Sequence, residues 1–328
     1  MFSIVDHFEP KRAGAGKELQ DKRLDTWIKK YEQLALKHRD ADNRHPRHTM
    51  FYPQEEYKAE HLKKLAEVCK KGLGEVEIHL HHDNDTAEGL KQKIEDFKER
   101  LTSHGMLSKD KQGNIRYGFI HGNWALDNSR KDGRWCGVNN ELEVLRDTGC
   151  YADFTLPSAP SDTQTSKINS IYYAKDTPKP KSHNRGIDVE VNKSPSGDLM
   201  IIQGPLVLNW RKRKFGIIPR IENGDVSYNS PPTSMRVDLW VNQHISIIGK
   251  PDWIFIKVYT HGLWDDNLKD EHFGNLGIMF DYLEKRYNDS IDYKLHYVTA
   301  REMYNIIKAG EAGKSGEPGE YRDYLLRV

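Results

Sequence analysis

The residues best suited to chemistry lie in EVEIHLHHDNDT, residues 75–86. Val76, Ile78 and Leu80 share one face of an extended segment, so His79 and His81 project together on the other. Asp83 and Asp85 follow, just ahead of an amphipathic run (Leu90, Ile94, Phe97, Leu101) at helical spacing. Three His and two Asp in seven positions at a strand-to-helix junction suit a divalent metal. Neutral imidazole nitrogen and ionised carboxylate are its natural ligands. A single His here would read as part of a solvated turn; this density reads as a metal or catalytic site.

Such a junction needs a frame, and the flanking sequence supplies one. Phe2-Ser3-Ile4-Val5 reads as a short buried strand ending in Asp6-His7, followed by a helix at about 17–39. HTMFYP (48–53) is a second strand, and 54–71 a second amphipathic helix. The strand at 75–81, a helix at about 87–104 and the strand in RYGFIHGNWAL (116–126) continue the alternation. This β-α order predicts a parallel sheet with helical crossovers, whose functional residues collect at strand C-terminal ends. Asp6-His7, the His81 cluster and His121-Gly122-Asn123-Trp124 all fall at such ends.

Further along, residues 156–182 are rich in Pro, Ser, Thr and Lys and read as an extended loop. Residues 185–248 read as β-rich and are expected to form an insertion, at about 185–250, that walls a cleft. Parallel order resumes with DWIFIKVYTHG (252–262), a helix at about 271–288, the strand YKLHYVT (293–299) and a helix at about 300–309. The segment 310–320, with four Gly and one Pro, reads as a mobile tail.

The 328 residues are 37% hydrophobic and 30% charged, with a mean hydropathy of −0.80, as expected of a globular protein with a wet surface. No apolar run reaches the roughly 20 residues that span a bilayer. MFSIVDHFEP lacks the pattern of a signal peptide, and Cys69, Cys136 and Cys150 form no C-x-x-C pair, so a cytoplasmic setting is expected. A net charge of +1 gives no general attraction for nucleic acid, and Arg211–Lys214 reads as an exposed hairpin or loop. Oligomeric state leaves no mark.

The strand ends together resemble the polysaccharide deacetylases, the NodB-homology domain of carbohydrate esterase family four. Where that family has an Asp-Asp pair after an apolar strand, FSIVDHFEP has Asp6-His7. HTMFYPQEEYKAEHLKKLAEVCKKGLGEVEIHLHHDND follows the layout of the next strand, helix and H-[ST]-x-x-H motif, with His81 and Asp85 at its two His positions. Arg134, Gly137 and Asn139 stand in an expanded version of the third, Arg-containing motif, and His261 in VYTHG matches the final Leu-x-His. The resemblance implies a distorted (β/α) barrel of about seven parallel strands, here one domain over 1–328 carrying the β-rich insertion.

It also implies removal of an acyl group, N-acetyl above all, from a sugar or polysaccharide precursor with help from a divalent metal, usually zinc. Carried over, Asp6 becomes the general base, His7, His81 and Asp85 the metal ligands, Arg134 the group orienting the base, and His261 the acid. His79 and His82 are rival ligands, because an H-x-H pair on one strand face can chelate by itself. His121, Trp124 and Asn139 are candidates for substrate contact, with Trp124, Trp135 and Trp264 able to stack on sugar rings. Two other classes stay open: a carbohydrate-binding protein that has lost catalysis on this fold, and a metal-dependent phosphoesterase.

Overall fold

The computed structural model describes residues 1–328. Strands β1 (Phe2–His7), β2 (His48–Pro53) and β3 (Gly74–Leu80) alternate with helices α1 (Lys17–Ala35), α2 (Ala59–Lys70) and α3 (Ala87–Ser103). A two-residue β4 (Ser108–Lys109), β5 (Ile115–His121), α4 (Glu141–Asp147) and β6 (Cys150–Asp153) follow. The middle of the chain gives β7 (Ile171–Ala174), β8 (Ile187–Asp188), β9 (Leu199–Ile202), the hairpin β10 (Val207–Lys214) and β11 (Ile218–Glu222), and α5 (Ser234–Asn242). β12 (Ile256–Thr260), α6 (Asp270–Arg286) and α7 (Ala300–Glu311) complete it.

The helices form where apolar stripes and caps coincide. Leu24, Trp27, Tyr31 and Leu34 are the buried stripe of α1. Thr86 caps α3 by accepting the Gly89 N–H, and Thr299 with Glu302 forms a reciprocal capping box at α7. No helix is long and apolar enough to cross a membrane.

The main sheet has the order β12-β1-β2-β3-β5-β6-β9-β7-β8, with β4 paired to β5. Pairing is parallel from β12 through to β9, and antiparallel where β7 meets β9 and β8. The result is a curled, mostly parallel half-barrel. The pleat sorts its side chains onto two faces. Ile4, Met50, Ile78 and Phe119 pack on the layer containing α1, α2, α3 and α6. Val5, Phe51 and Ile120 join the core of the other face, which α7 covers with Met303, Ile306 and Ile307. The start of α7 is fixed near the strand beginnings, where the Ala300 N–H donates to Thr49 Oγ1 and Arg301 pairs with Glu75. The C-terminal strand ends lie at the opposite end of that face.

Several expectations change. β7 arises within the Pro- and Ser-rich stretch, and within 185–250 β8 and β9 join the main sheet, with β9 between β6 and β7, while β10 and β11 form a separate hairpin. That region also holds a helix, α5, because Arg236, Val237, Trp240 and Val241 are buried at helical spacing. YKLHYVT contributes one parallel bridge, Tyr297 to Phe2. Its beginning is taken by a local turn, in which Asp289 Oδ1 accepts the N–H groups of Ile291, Asp292 and Tyr293. The chain end is tied back to the core: Arg322 is buried and pairs with Asp40. Arg211–Lys214 lie in the exposed β10–β11 hairpin.

Candidate metal centre

Four neighbouring strands, β12, β1, β2 and β3, end around one cleft. β1 delivers His7 and, just beyond its end, Glu9; the turn after β2 delivers Glu55; β3 delivers His79 and, just past its end, His81; and His261 follows β12. Ligand atoms of His7, Glu9 and His79 lie within 4.8 Å of one another, and all three residues are buried. The His7 ring stacks on His261 with centroids 4.6 Å apart and meets His79 edge-on at 4.9 Å.

The tautomer of His79 follows from its neighbours. Nδ1 lies 2.8 Å from the Ile120 carbonyl, which can only accept, so Nδ1 carries the proton. The Nε2 lone pair then faces Glu9 Oε1 at 3.4 Å, buried and without a hydrogen-bond partner. A lone pair aimed at a carboxylate calls for a cation between them, and a His with its far nitrogen fixed by a carbonyl is the usual metal-ligand arrangement. The donor set, two imidazoles and one carboxylate, fits a divalent ion.

Two more imidazoles border this set. His81 places Nε2 3.3 Å from Glu9 Oε1 and Nδ1 2.5 Å from Glu55 Oε1. Burial opposes a charge on its ring, but Glu55 and Glu9 raise its pKa to about 10. His261 is driven the other way, to about 4, chiefly by burial. Burial, His261 and His79 push His7 well below the ordinary range. Burial alone would raise Glu9, yet the neighbouring imidazoles of His79 and His81 hold it well below the usual carboxylate value. Trp264 leans on His261 at 4.2 Å between centroids, and Trp124 stands 6.3 Å from His7. Trp124 holds a φ of 56°, in the left-handed region that bulky side chains seldom occupy. Gly122 lets the chain pass beside His81, because a Cβ there would collide with the imidazole.

A second group lies next to the first. His82, His121, Cys136 and Glu141 are fully buried, with ligand atoms within 4.8 Å of one another. His82 bridges Asp85 Oδ2 through Nδ1 (3.1 Å) and Glu141 Oε1 through Nε2 (3.2 Å). Burial opposes ionisation of Glu141, but His121 and His82 hold its pKa down to about 2.

Of the residues named from sequence, the structure brings His7, His81, His261 and Trp124 to the cleft. Asp6 is not among them. It points to the opposite face of β1, where Oδ2 meets His48 Nε2 at 2.7 Å and Oδ1 accepts the Gly262 N–H at 2.7 Å. Asp85 sits outside the cleft, paired with Lys93 at 2.6 Å. Arg134 is exposed and paired with Asp132 at 2.8 Å, so it does not orient Asp6. Asn139 is exposed and bonds Asn128, and His121 belongs to the second group. The Trp135 ring carries the guanidinium groups of Arg130 and Arg134 at 4.2 and 4.9 Å from its centroid. Glu9 and Glu55 complete the cleft; Glu9 had a signal in His7-x-Glu9, the same one-face spacing as His79-x-His81.

A curled, mostly parallel sheet with imidazoles and carboxylates at its C-terminal ends defines an α/β half-barrel with a candidate metal cleft. No family model matches this chain, and no curated protein matches it. Among solved structures it is similar to one described as "putative polysaccharide deacetylase from Mycobacterium smegmatis", with a TM-score of 0.51 at 10% identity, over 96% of this chain and 93% of that one. The 4-alpha-glucanotransferase from Thermococcus litoralis aligns with a TM-score of 0.41 at 12% identity, over 92% of this chain and 41% of that one. The first likeness establishes a shared fold.

Proposed function

We propose that the cleft is the active site of a metal-dependent hydrolase that removes an acyl group, N-acetyl above all, from a sugar of a polysaccharide or its precursor. The observation that carries this reading is the convergence of His7, His79 and Glu9 at the strand ends. The half-barrel shared with the Mycobacterium smegmatis protein supports it at the level of fold.

In this reading His7, His79 and Glu9 hold a divalent ion, most simply zinc, and three protein ligands leave a position open as catalytic sites require. When bound, the ion supplies Lewis acidity toward the acyl carbonyl. The proton movements fall to the chain. His261, kept neutral by burial, is placed to accept a proton, and His81, held cationic by Glu55 and Glu9, to deliver one to the departing amine. The resemblance gave the acid role to His261; the charge states of these two rings favour the exchange. Asp6 acts as a positioning residue, fixing through the Gly262 N–H the turn that carries His261. Trp124 and Trp264 flank the cleft and offer apolar faces to a sugar ring.

Acetate release from N-acetylated oligosaccharides by zinc-loaded protein tests the reading. Release is expected, and is abolished by chelation and restored by zinc. A metal-loaded protein inert across N- and O-acetylated sugars would contradict it.

A further inference from the structure

We propose a second metal site, separate from the cleft, in which His82, His121, Cys136 and Glu141 bind one zinc ion as a closed, structural centre. The four residues come from the segment after β3, the end of β5, the β5–α4 connection and the first position of α4. Their donor atoms converge within 4.8 Å, and each residue is buried.

The atoms around each donor are arranged for it. His121 Nδ1 lies 2.5 Å from the Gly122 carbonyl, so that nitrogen carries the proton. Its Nε2 lone pair therefore points at Glu141 Oε1, 3.5 Å away, with no hydrogen-bond partner and no exposure to solvent. Two acceptors facing each other in a buried space repel unless a cation lies between them. His82 is backed by Asp85 at 3.1 Å, the carboxylate–imidazole arrangement that orients metal ligands. The second oxygen of Glu141 accepts the Asp127 N–H at 2.6 Å, and Cys136 Sγ accepts the Val138 N–H at 3.4 Å.

Charge makes zinc the fitting ion. Two neutral imidazoles, one thiolate and one carboxylate carry two negative charges, which a divalent ion cancels, so the occupied site is neutral where a net charge would be costly. Sulfur and nitrogen donors in a four-ligand set favour zinc over magnesium or calcium. With every position filled by protein, the centre holds structure. It ties the ends of β3 and β5 to the connection 122–140, which carries only short 3-10 turns and includes Trp124 beside the cleft.

The test uses wild-type protein loaded with zinc, then with cobalt. X-ray absorption at the zinc edge is expected to show sulfur at about 2.3 Å. Cobalt is expected to give a thiolate-to-metal charge-transfer band that survives Cys69→Ser and Cys150→Ser and vanishes in Cys136→Ser. Absence of sulfur around any bound zinc, or a band that persists in Cys136→Ser, overturns the proposal. If Cys136→Ser does not fold, the wild-type absorption spectrum decides alone. The cleft contains no sulfur donor, so His79→Ala leaves this signal intact, and the two sites succeed or fail separately.

Discussion

The cleft and the closed cluster begin one residue apart, at His81 and His82, and differ in what surrounds them. His79 and His81 project to the α7 face of the sheet, where His81 and His261 are only half-buried. His82 turns the other way, toward His121 and Glu141, and every member of its group is buried. Imidazoles and carboxylates furnish both. The donors of both groups are buried, and their number and kind separate them: three nitrogen and oxygen donors leave a position open and suit reaction, whereas four donors that include the Cys136 thiolate fill a tetrahedral set and suit a structural tie. A single step along the extended chain just past β3 is enough to move a histidine between the two groups.

The sharpest test of this contrast is Glu141→Ala. It removes the shared carboxylate from two buried imidazoles and should cost about 3–5 kcal/mol in denaturant unfolding. Turnover per folded molecule should fall far less than in a variant of a cleft donor, because His7, Glu9 and His79 are untouched. His79→Ala should show the converse: turnover down by at least about 10²-fold, beyond the 10–100-fold typical of outer partners, and a smaller shift in melting temperature. Equal effects on stability from both variants would erase the distinction.

A subtler probe is Glu77, buried on the α7 face between Tyr151 and Gly118. Burial lifts its pKa to about 8. The folded state therefore holds a proton that the unfolded chain, with its lower carboxylate pKa, gives up. Stability contributed by the neutral form is complete below about pH 4.5 and falls as pH rises through about 8. Glu77→Gln can accept from Gly118 and donate to Tyr151, so its melting temperature should lack this decline across the same range. A decline of equal size in the variant would assign it to another group.

Arg134→Ala should do least. Arg134 is exposed and its partner is Asp132, so stability should change by no more than about 0.5 kcal/mol. Turnover should also hold. A large loss of turnover would return Arg134 to the cleft.

The sequence makes some of this arrangement readable and hides the rest for physical reasons. Strand periodicity carries the shared direction of His79 and His81, and the β-α rhythm of the first third carries the parallel order of β1, β2, β3 and β5. The same alternation separates Asp6 from His7: Asp6 lies in phase with Ile4 and Phe8, and His7 with Val5. Motif resemblance groups the two; the pleat parts them. Arg134 matches a motif position in sequence, and the fold leaves it exposed and paired with Asp132, two residues away. Glu141 gave no local sign, because its role depends on three segments meeting in space. The insertion of β9 between β6 and β7 likewise rests on long-range pairing that local pattern does not encode.

The central claim is that His7, Glu9 and His79 hold one divalent ion in the open cleft. Anomalous scattering at the zinc edge, from a crystal of zinc-loaded protein, tests it directly. The account predicts a peak about 2.0–2.2 Å from donor atoms of all three residues. A zinc-loaded crystal with no peak among them, or with zinc on other residues of the cleft, would contradict it.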